Sequence, residues 1–214
     1  MRMYLFLILV FVTLSCKKKD GNYIISGKVI NKELNIPISG VSLTLYGTKI
    51  SGGVLQNQQE KLVTAITNID GSFSLKFSKQ VFSNLIIVLK KEGYFEQEKF
   101  INPDNLIPGK EYNVNIDMHA LSWLKTIVKN VGYQSVSDQL FYRLSLPYSD
   151  CNTCCTTNQR VFNGVAIDTT WICPIYGGSY VYVLWVYSNG QTSIPHNDTI
   201  FIPIGDTVIH PIFY

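Results

Sequence analysis

Charge is scarce in this chain. Asp, Glu, Lys and Arg together supply 15% of its 214 residues, and the formal net charge is +3. That small excess sits at the N-terminus, with Arg2, Lys17, Lys18 and Lys19. Without those four, 14 basic side chains face 15 acidic ones, so the basic face that nucleic acid demands is missing. Histidine is scarcer still. His119, His196 and His210 fall in different predicted elements, with no His-Glu-x-x-His pair and no other two-histidine metal spacing. Also absent are a Gly-x-Ser-x-Gly nucleophile elbow and a phosphate-cradling glycine loop. The expectation is a chain without catalysis, cofactor or resident metal. Beyond residue 20, no apolar run approaches the roughly 20 residues that span a bilayer.

What is present begins at the N-terminus. Arg2 precedes an uninterrupted apolar run over residues 4–12, too short to cross a bilayer but laid out as a secretory signal peptide. Its end, Thr13-Leu14-Ser15-Cys16, resembles the lipobox of bacterial lipoproteins. In that family cleavage precedes the cysteine, whose sulfur takes a diacylglycerol. Thr13 stands where the family prefers leucine, and Ser15 meets its small-residue requirement. The resemblance implies removal of residues 1–15, a lipid on Cys16 and a tether over residues 16–21. Each buried CH₂ adds about 0.8 kcal/mol, so several acyl chains anchor durably. The three tether lysines add about 1 kcal/mol each beside anionic headgroups. Lys17 replaces the Asp that typically retains such lipoproteins at the inner membrane. The implied location is therefore the outer membrane, facing either the periplasm or the surface.

The remainder reads as all-β. Aromatics reach 13%, and apolar residues alternate between Gly, Asn, Asp and Pro punctuation. Two consecutive β-sandwich domains are expected, over residues 22–118 and 119–214. In the first, strands are predicted at 23–31, 41–45, 62–67, 73–77, 85–89, 94–100 and 114–118. Residues 47–60 read as a long polar loop. Val41, Leu43 and Leu45 should share one face, as should Phe73, Leu75 and Phe77. Asp70-Gly71 should form a hairpin turn, because glycine accepts positive φ.

Four strings in order carry a second resemblance. They are Ser26-Gly27-Lys28-Val29-Ile30-Asn31, then Pro37-Ile38-Ser39-Gly40-Val41 running on to Leu45. Thr67-Asn68-Ile69-Asp70-Gly71-Ser72-Phe73 and Lys90-Lys91-Glu92-Gly93-Tyr94 follow. Together they resemble the carboxypeptidase regulatory-like domain, a transthyretin-like seven-stranded sandwich, with Asn68 where that family often has Asp. The resemblance covers roughly residues 22–118 and implies a non-catalytic spacer, stabiliser or docking module.

The second unit is expected to be a loosely immunoglobulin-like sandwich. Its predicted strands are 123–130, 140–146, 161–167, 179–188, 199–204 and 207–214, with Asn189-Gly190 and Gly205-Asp206 as hairpin signals. A short helix over 121–128 is the weaker alternative. Cys151, Cys154, Cys155 and Cys173 all lie here. Their spacing contains a zinc-like gap, but export to an oxidising compartment favours disulfides. Four cysteines allow three pairings, and a bridge between adjacent Cys154 and Cys155 is strained. Two bridges pinning the 150–159 loop to the strand near Trp171 are expected.

Residues 180–187 are apolar on both faces. Tyr180, Tyr182, Leu184 and Val186 point one way, and Val181, Val183, Trp185 and Tyr187 the other. One face should line the core. If the other is exposed, its aromatics form a ligand or partner surface; otherwise a loop or the neighbouring domain covers it. Asp168-Thr169-Thr170, Asp198-Thr199-Ile200 and Asp206-Thr207-Val208 resemble an O-glycosylation motif of some Gram-negative envelope proteins, nominating Thr169, Thr199 and Thr207, all near predicted strand ends. The expected role is a structural or interaction module of the envelope. Its expected partners are the membrane, through the lipid, and an envelope protein or glycan. Two alternatives are a glycan- or peptide-binding accessory of an outer-membrane uptake system, and an envelope hydrolase with an unrecognised site.

Overall fold

A computed structural model describes residues 21–52, 54–132 and 135–214. The signal sequence, the lipobox with Cys16 and most of the tether lie outside the described residues. The described chain is all-β apart from one 3₁₀ turn, Pro103–Asn105.

The first half contains β1 (Asn22–Asn31), β2 (Ile36–Pro37), β3 (Ser42–Ser51), β4 (Val54–Ile66), β5 (Ser72–Ser78), β6 (Phe82–Lys90), β7 (Gln97–Ile101), β8 (Glu111–Asn113) and β9 (Ile116–Met118). One sheet centres on β1, with β5 antiparallel on one side and short β8 and β9 parallel on the other. The second runs β4-β3-β6-β7. Strand alternation explains the core between them. Val41, Leu43 and Leu45 are buried from one sheet, and Phe73, Leu75 and Phe77 from the other. Each such side chain stabilises the fold by about 2 kcal/mol.

Three sequence expectations for this half change. The 47–60 segment is not a loop: β3 and β4 form one long hairpin, with Gly47 paired to Glu60 and Ser51 to Val54. Its residues are mostly polar and show no apolar alternation, so periodicity does not mark them as strand. The strand expected over 114–118 begins only at Ile116, as β9, and Val114-Asn115 link it to β8, a further short strand. The Asp70-Gly71 turn is tight as expected, with Gly71 at φ 74°. It closes no hairpin, however: it carries the chain from β4 in one sheet to β5 in the other. Thr67 ties this crossing down, its buried hydroxyl donating to Ile38 O (2.7 Å) and accepting from Val41 N (2.8 Å). Asp70 Oδ1 accepts from the Ser72 amide (3.1 Å) and hydroxyl (2.7 Å), which holds the Asp70 carboxyl below its ordinary range.

The second half contains β10 (Leu121–Lys129), β11 (Gln139–Ser145), β12 (Arg160–Asn163), β13 (Asp168–Tyr176), β14 (Ser179–Ser188), β15 (Ser193–Ile202) and β16 (Thr207–Phe213). Sheet β13-β10-β16 faces sheet β12-β11-β14-β15 over Leu124, Val128, Leu140, Leu144, Ile175, Val181, Val183, Ile202 and Ile212. The two halves are thus two β-sandwiches, each with its own cluster of buried residues. Residues 121–128 are strand and not helix. The strand expected to end at 167 stops at Asn163, and β13 follows as a separate strand. Asn189-Gly190 closes the expected hairpin between β14 and β15. Gly205-Asp206 does not: it sends the chain to the opposite sheet, where β16 pairs parallel to β10.

Only His119 and Ala120 separate the last strand of the first sandwich from the first strand of the second. Backbone bonds clamp this connector from both sides. Leu121 N donates to Gly93 O (2.8 Å), Phe95 N to His119 O (3.0 Å) and Gly177 N to Ala120 O (2.9 Å).

Candidate functional site

Side chains reinforce the connector. His119 Nδ1–H donates to Glu33 Oε1 of the first sandwich at 2.5 Å. The imidazole lies flat on Tyr176 of β13, centroids 3.8 Å apart and planes 3° apart. Tyr148 stacks on Tyr176 (4.2 Å), and its hydroxyl accepts the Tyr176 amide proton (3.1 Å). Phe95 meets Tyr176 edge-on at 5.0 Å. Burial pushes the Tyr148 and Tyr176 phenols up to about 12. Asp150 Oδ2 stands 3.9 Å from His119 Nε2. Sequence reasoning missed this cluster. Its members come from five separate segments, and only a histidine at the domain boundary hints at it.

The four aromatics singled out on β14 do not form one surface. Val181 and Val183 are buried, and Trp185 and Tyr187 pack against the same core. Trp185 Nε1 donates to Asp198 Oδ2 (2.9 Å), and its ring stacks on His196 (3.8 Å). Asp198 Oδ2 also accepts from His210 Nε2 (3.0 Å). Tyr187 donates its hydroxyl proton to Asp138 Oδ1 (3.3 Å). The opposite face of β14 stays open: Tyr180 is 56% and Tyr182 48% exposed. Leu184, and Phe201 against Tyr180 at 5.0 Å, extend that face. The exposed surface is therefore Tyr180 and Tyr182 with Leu184 and Phe201, while Trp185 and Tyr187 point into the sandwich.

The cysteines pair as Cys151–Cys154 and Cys155–Cys173. Only the second bridge pins the loop to β13; the first is internal to the loop. Cys155 is itself buried in the core, and its amide donates to Pro174 O (2.9 Å). The loop is therefore held by burial of one residue as well as by cross-links. Beside it opens a groove of about 510 Å³ lined by Arg143, Ser145, Tyr148, Asn152 and Thr156. Among the described residues, no group of three His, Cys, Asp or Glu side chains is placed to hold a metal ion.

Asp168-Thr169 opens β13, and Thr207 opens β16 with Asp206 just before it. Thr207 is exposed and Thr169 half-buried. Asp198-Thr199 lies inside β15, which begins earlier than predicted, at Ser193. Thr199 is exposed opposite Tyr182, while Asp198 is occupied by Trp185 and His210.

No family model matches the chain, and no curated protein does. Among solved structures it is similar to the Bacillus anthracis TIE protein, at 10% identity and a TM-score of 0.37, covering 90% of this chain and 34% of that one. A streptococcal ancillary pilin matches at 10% identity and TM-score 0.34 over 89% and 62%. The 3-chlorocatechol 1,2-dioxygenase of Rhodococcus opacus 1CP matches at 15% and 0.35 over 48% and 61%. The chain thus spans about a third of the first and about three-fifths of the other two. Similarity this low transfers no function to this chain.

Proposed function

We propose that this chain is a non-catalytic envelope lipoprotein. Its transthyretin-like, carboxypeptidase regulatory-like first sandwich is a spacer, and its second sandwich is the part displayed to partners. The direction of β1 carries this reading. The tether enters at Asn22, whereas the connector to the second sandwich leaves from Met118, which pairs with Asn31 at the other end of β1. Ten residues at about 3.3 Å each separate the two by about 30 Å. The clamped connector supports a rigid stand-off over a swivelling pair. Two results test the reading. Cys16→Ser should move the protein from the membrane fraction to the soluble one, and mass spectrometry of the native protein should find acyl chains on Cys16. Membrane retention of the variant, with no acyl mass on the native protein, refutes the anchor.

A second reading, a glycan- or peptide-binding accessory, is favoured by the exposed Tyr180, Tyr182 and Phe201. Sugar rings and apolar peptide side chains both stack on such aromatics. Loss of glycan-array or peptide-array binding in a Tyr180→Ser/Tyr182→Ser variant supports this reading, and unchanged binding rejects it.

A further inference from the structure

The end of the first sandwich from which the tether emerges gathers features that no binding role above uses. Gly21 O accepts from Lys79 N (2.8 Å), and Asn22 O accepts from Gly109 N (3.0 Å). The β5–β6 turn and the loop before β8 therefore flank the tether exit on its two sides. Each presents an apolar tip beside a lysine. Val81 is 65% exposed next to Lys79, and Ile107 is 52% exposed in a turn closed by Lys110 N donating to Ile107 O (3.0 Å). Exposed Ile50 joins them, its amide donating to Val81 O (3.0 Å). Of the acidic side chains nearby, Glu60 is ion-paired with Lys49, and Glu111 sits one residue beyond Lys110.

The chain outside the structure sets what this end can meet. Between Cys16 and Asn22 lie too few residues to reach more than about 20 Å even fully extended. Three of them are lysines. On the anchor reading, a lipid on Cys16 keeps this end within that distance of the headgroups, and no other part of the sandwich is held so close. Apolar tips flanked by lysines match a bilayer surface: the tips enter the headgroup boundary and the ammonium groups meet anionic phosphate.

We propose that Ile50, Val81 and Ile107, with Lys79 and Lys110, form a bilayer-contacting base that seats the first sandwich upright on the membrane holding its anchor. This rests on lipidation of Cys16. The base adds a second, independent attachment that fixes orientation, whereas a lipid on a loose tether fixes only distance.

The test uses full-length lipidated protein reconstituted into phosphatidylglycerol-containing vesicles with brominated acyl chains. All three native tryptophans, Trp123, Trp171 and Trp185, lie in the second sandwich, so a tryptophan added to the first reports there alone. Emission added by Ile107→Trp, and by Val81→Trp as an independent probe, should fall roughly twofold or more. Ile69→Trp, on the exposed turn at the far end beside Val29, should be unquenched. Lys79→Glu with Lys110→Glu should weaken the quenching without releasing the protein. Flotation with vesicles but equal emission from the near and far probes overturns the base while leaving the anchor intact. Failure to float, with no acyl group on Cys16, overturns both.

Discussion

Gly27 carries the most demanding steric position in the first sandwich. A Cβ built there would lie 1.8 Å from the carbonyl oxygen of Val114 and 2.6 Å from its carbon. Ordinary van der Waals contact begins near 3.4 Å, so an alanine must displace that carbonyl by about 1.5 Å. The carbonyl cannot move freely. Val114 N donates to Ser26 O (2.8 Å), Asn113 Oδ1 accepts from the Ser26 hydroxyl (2.7 Å), and Asn115 Oδ1 accepts from Lys28 N (3.0 Å). Overpacking of this kind costs about 1–3 kcal/mol, and each of the three hydrogen bonds stretched adds about 1 kcal/mol. Reduced freedom of the unfolded chain returns about 0.4–1 kcal/mol. Gly27→Ala should therefore destabilise the chain by about 4 kcal/mol, which for a chain of this length lowers Tm by roughly 8–16 °C. Gly21→Ala, with nothing within 4 Å of its Cβ, is the matched control. Urea unfolding followed by circular dichroism measures both. If Gly27→Ala unfolds at the wild-type midpoint, the close approach of β1 to the Val114 crossover is wrong.

Three further outcomes are expected. Removing the Cys155–Cys173 bridge by a double Ala substitution should cost about 3 kcal/mol, and removing Cys151–Cys154 about 2 kcal/mol, because the second closes a much shorter loop; equal losses in urea titrations would contradict this. Residues 22–118 should unfold cooperatively when expressed alone, since their buried cluster is drawn wholly from that range; an unfolded NMR spectrum refutes it. The phenols of Tyr148, Tyr176 and Tyr214 are pushed up to about 12, chiefly by burial. A raised folded-state pKa favours the protonated fold, so this stability is complete below about pH 10 and is lost as pH rises through about 12. Thermal unfolding scans across that window, with phenolate absorbance, should show phenol ionisation and unfolding together; tyrosines that all titrate near 10 without unfolding would refute it.

Elements carried by apolar alternation were legible in the sequence. The inward rows 41–45 and 73–77 and the strand over 179–188 stand where periodicity places them, because one buried face forces period two. Pairing was less legible. Asp70-Gly71 and Gly205-Asp206 carry ordinary turn chemistry, but both cross between sheets because β1 and β10 take the strands that follow. Turn residues fix a local reversal and leave the partner strand to the packing. β13 was legible only as a strand near Trp171 without bounds, because its inner row, Thr169, Trp171, Cys173 and Ile175, mixes a hydroxyl and a cystine sulfur into the apolar pattern. The junction was illegible for a different reason. Glu33, Phe95, His119, Tyr148 and Tyr176 meet only once both sandwiches are built, and no spacing encodes that meeting.

The prolines of the second sandwich bear on how it can meet a partner. Its edge strands are β13, β16, β15 and β12. Three of them contain a proline, Pro174 in β13, Pro211 in β16 and Pro195 in β15, while β12 has only four residues. Proline has no amide proton, so each interrupts the row of donors that an incoming strand would need, and a four-residue edge offers few pairing groups. This sandwich is thus poorly suited to strand addition along any of its edges. Its exposed aromatics sit instead on the flat of β14 and β15, where Tyr180, Tyr182 and Phe201 point away from the core. A partner that reads side chains on that face, or the groove beside the Cys151–Cys154 loop, fits this design; one that adds a strand does not. On the anchor proposed for Cys16, recognition by face also leaves the partner free to sit about 30 Å or more above the bilayer, the height that β1 sets between tether and connector.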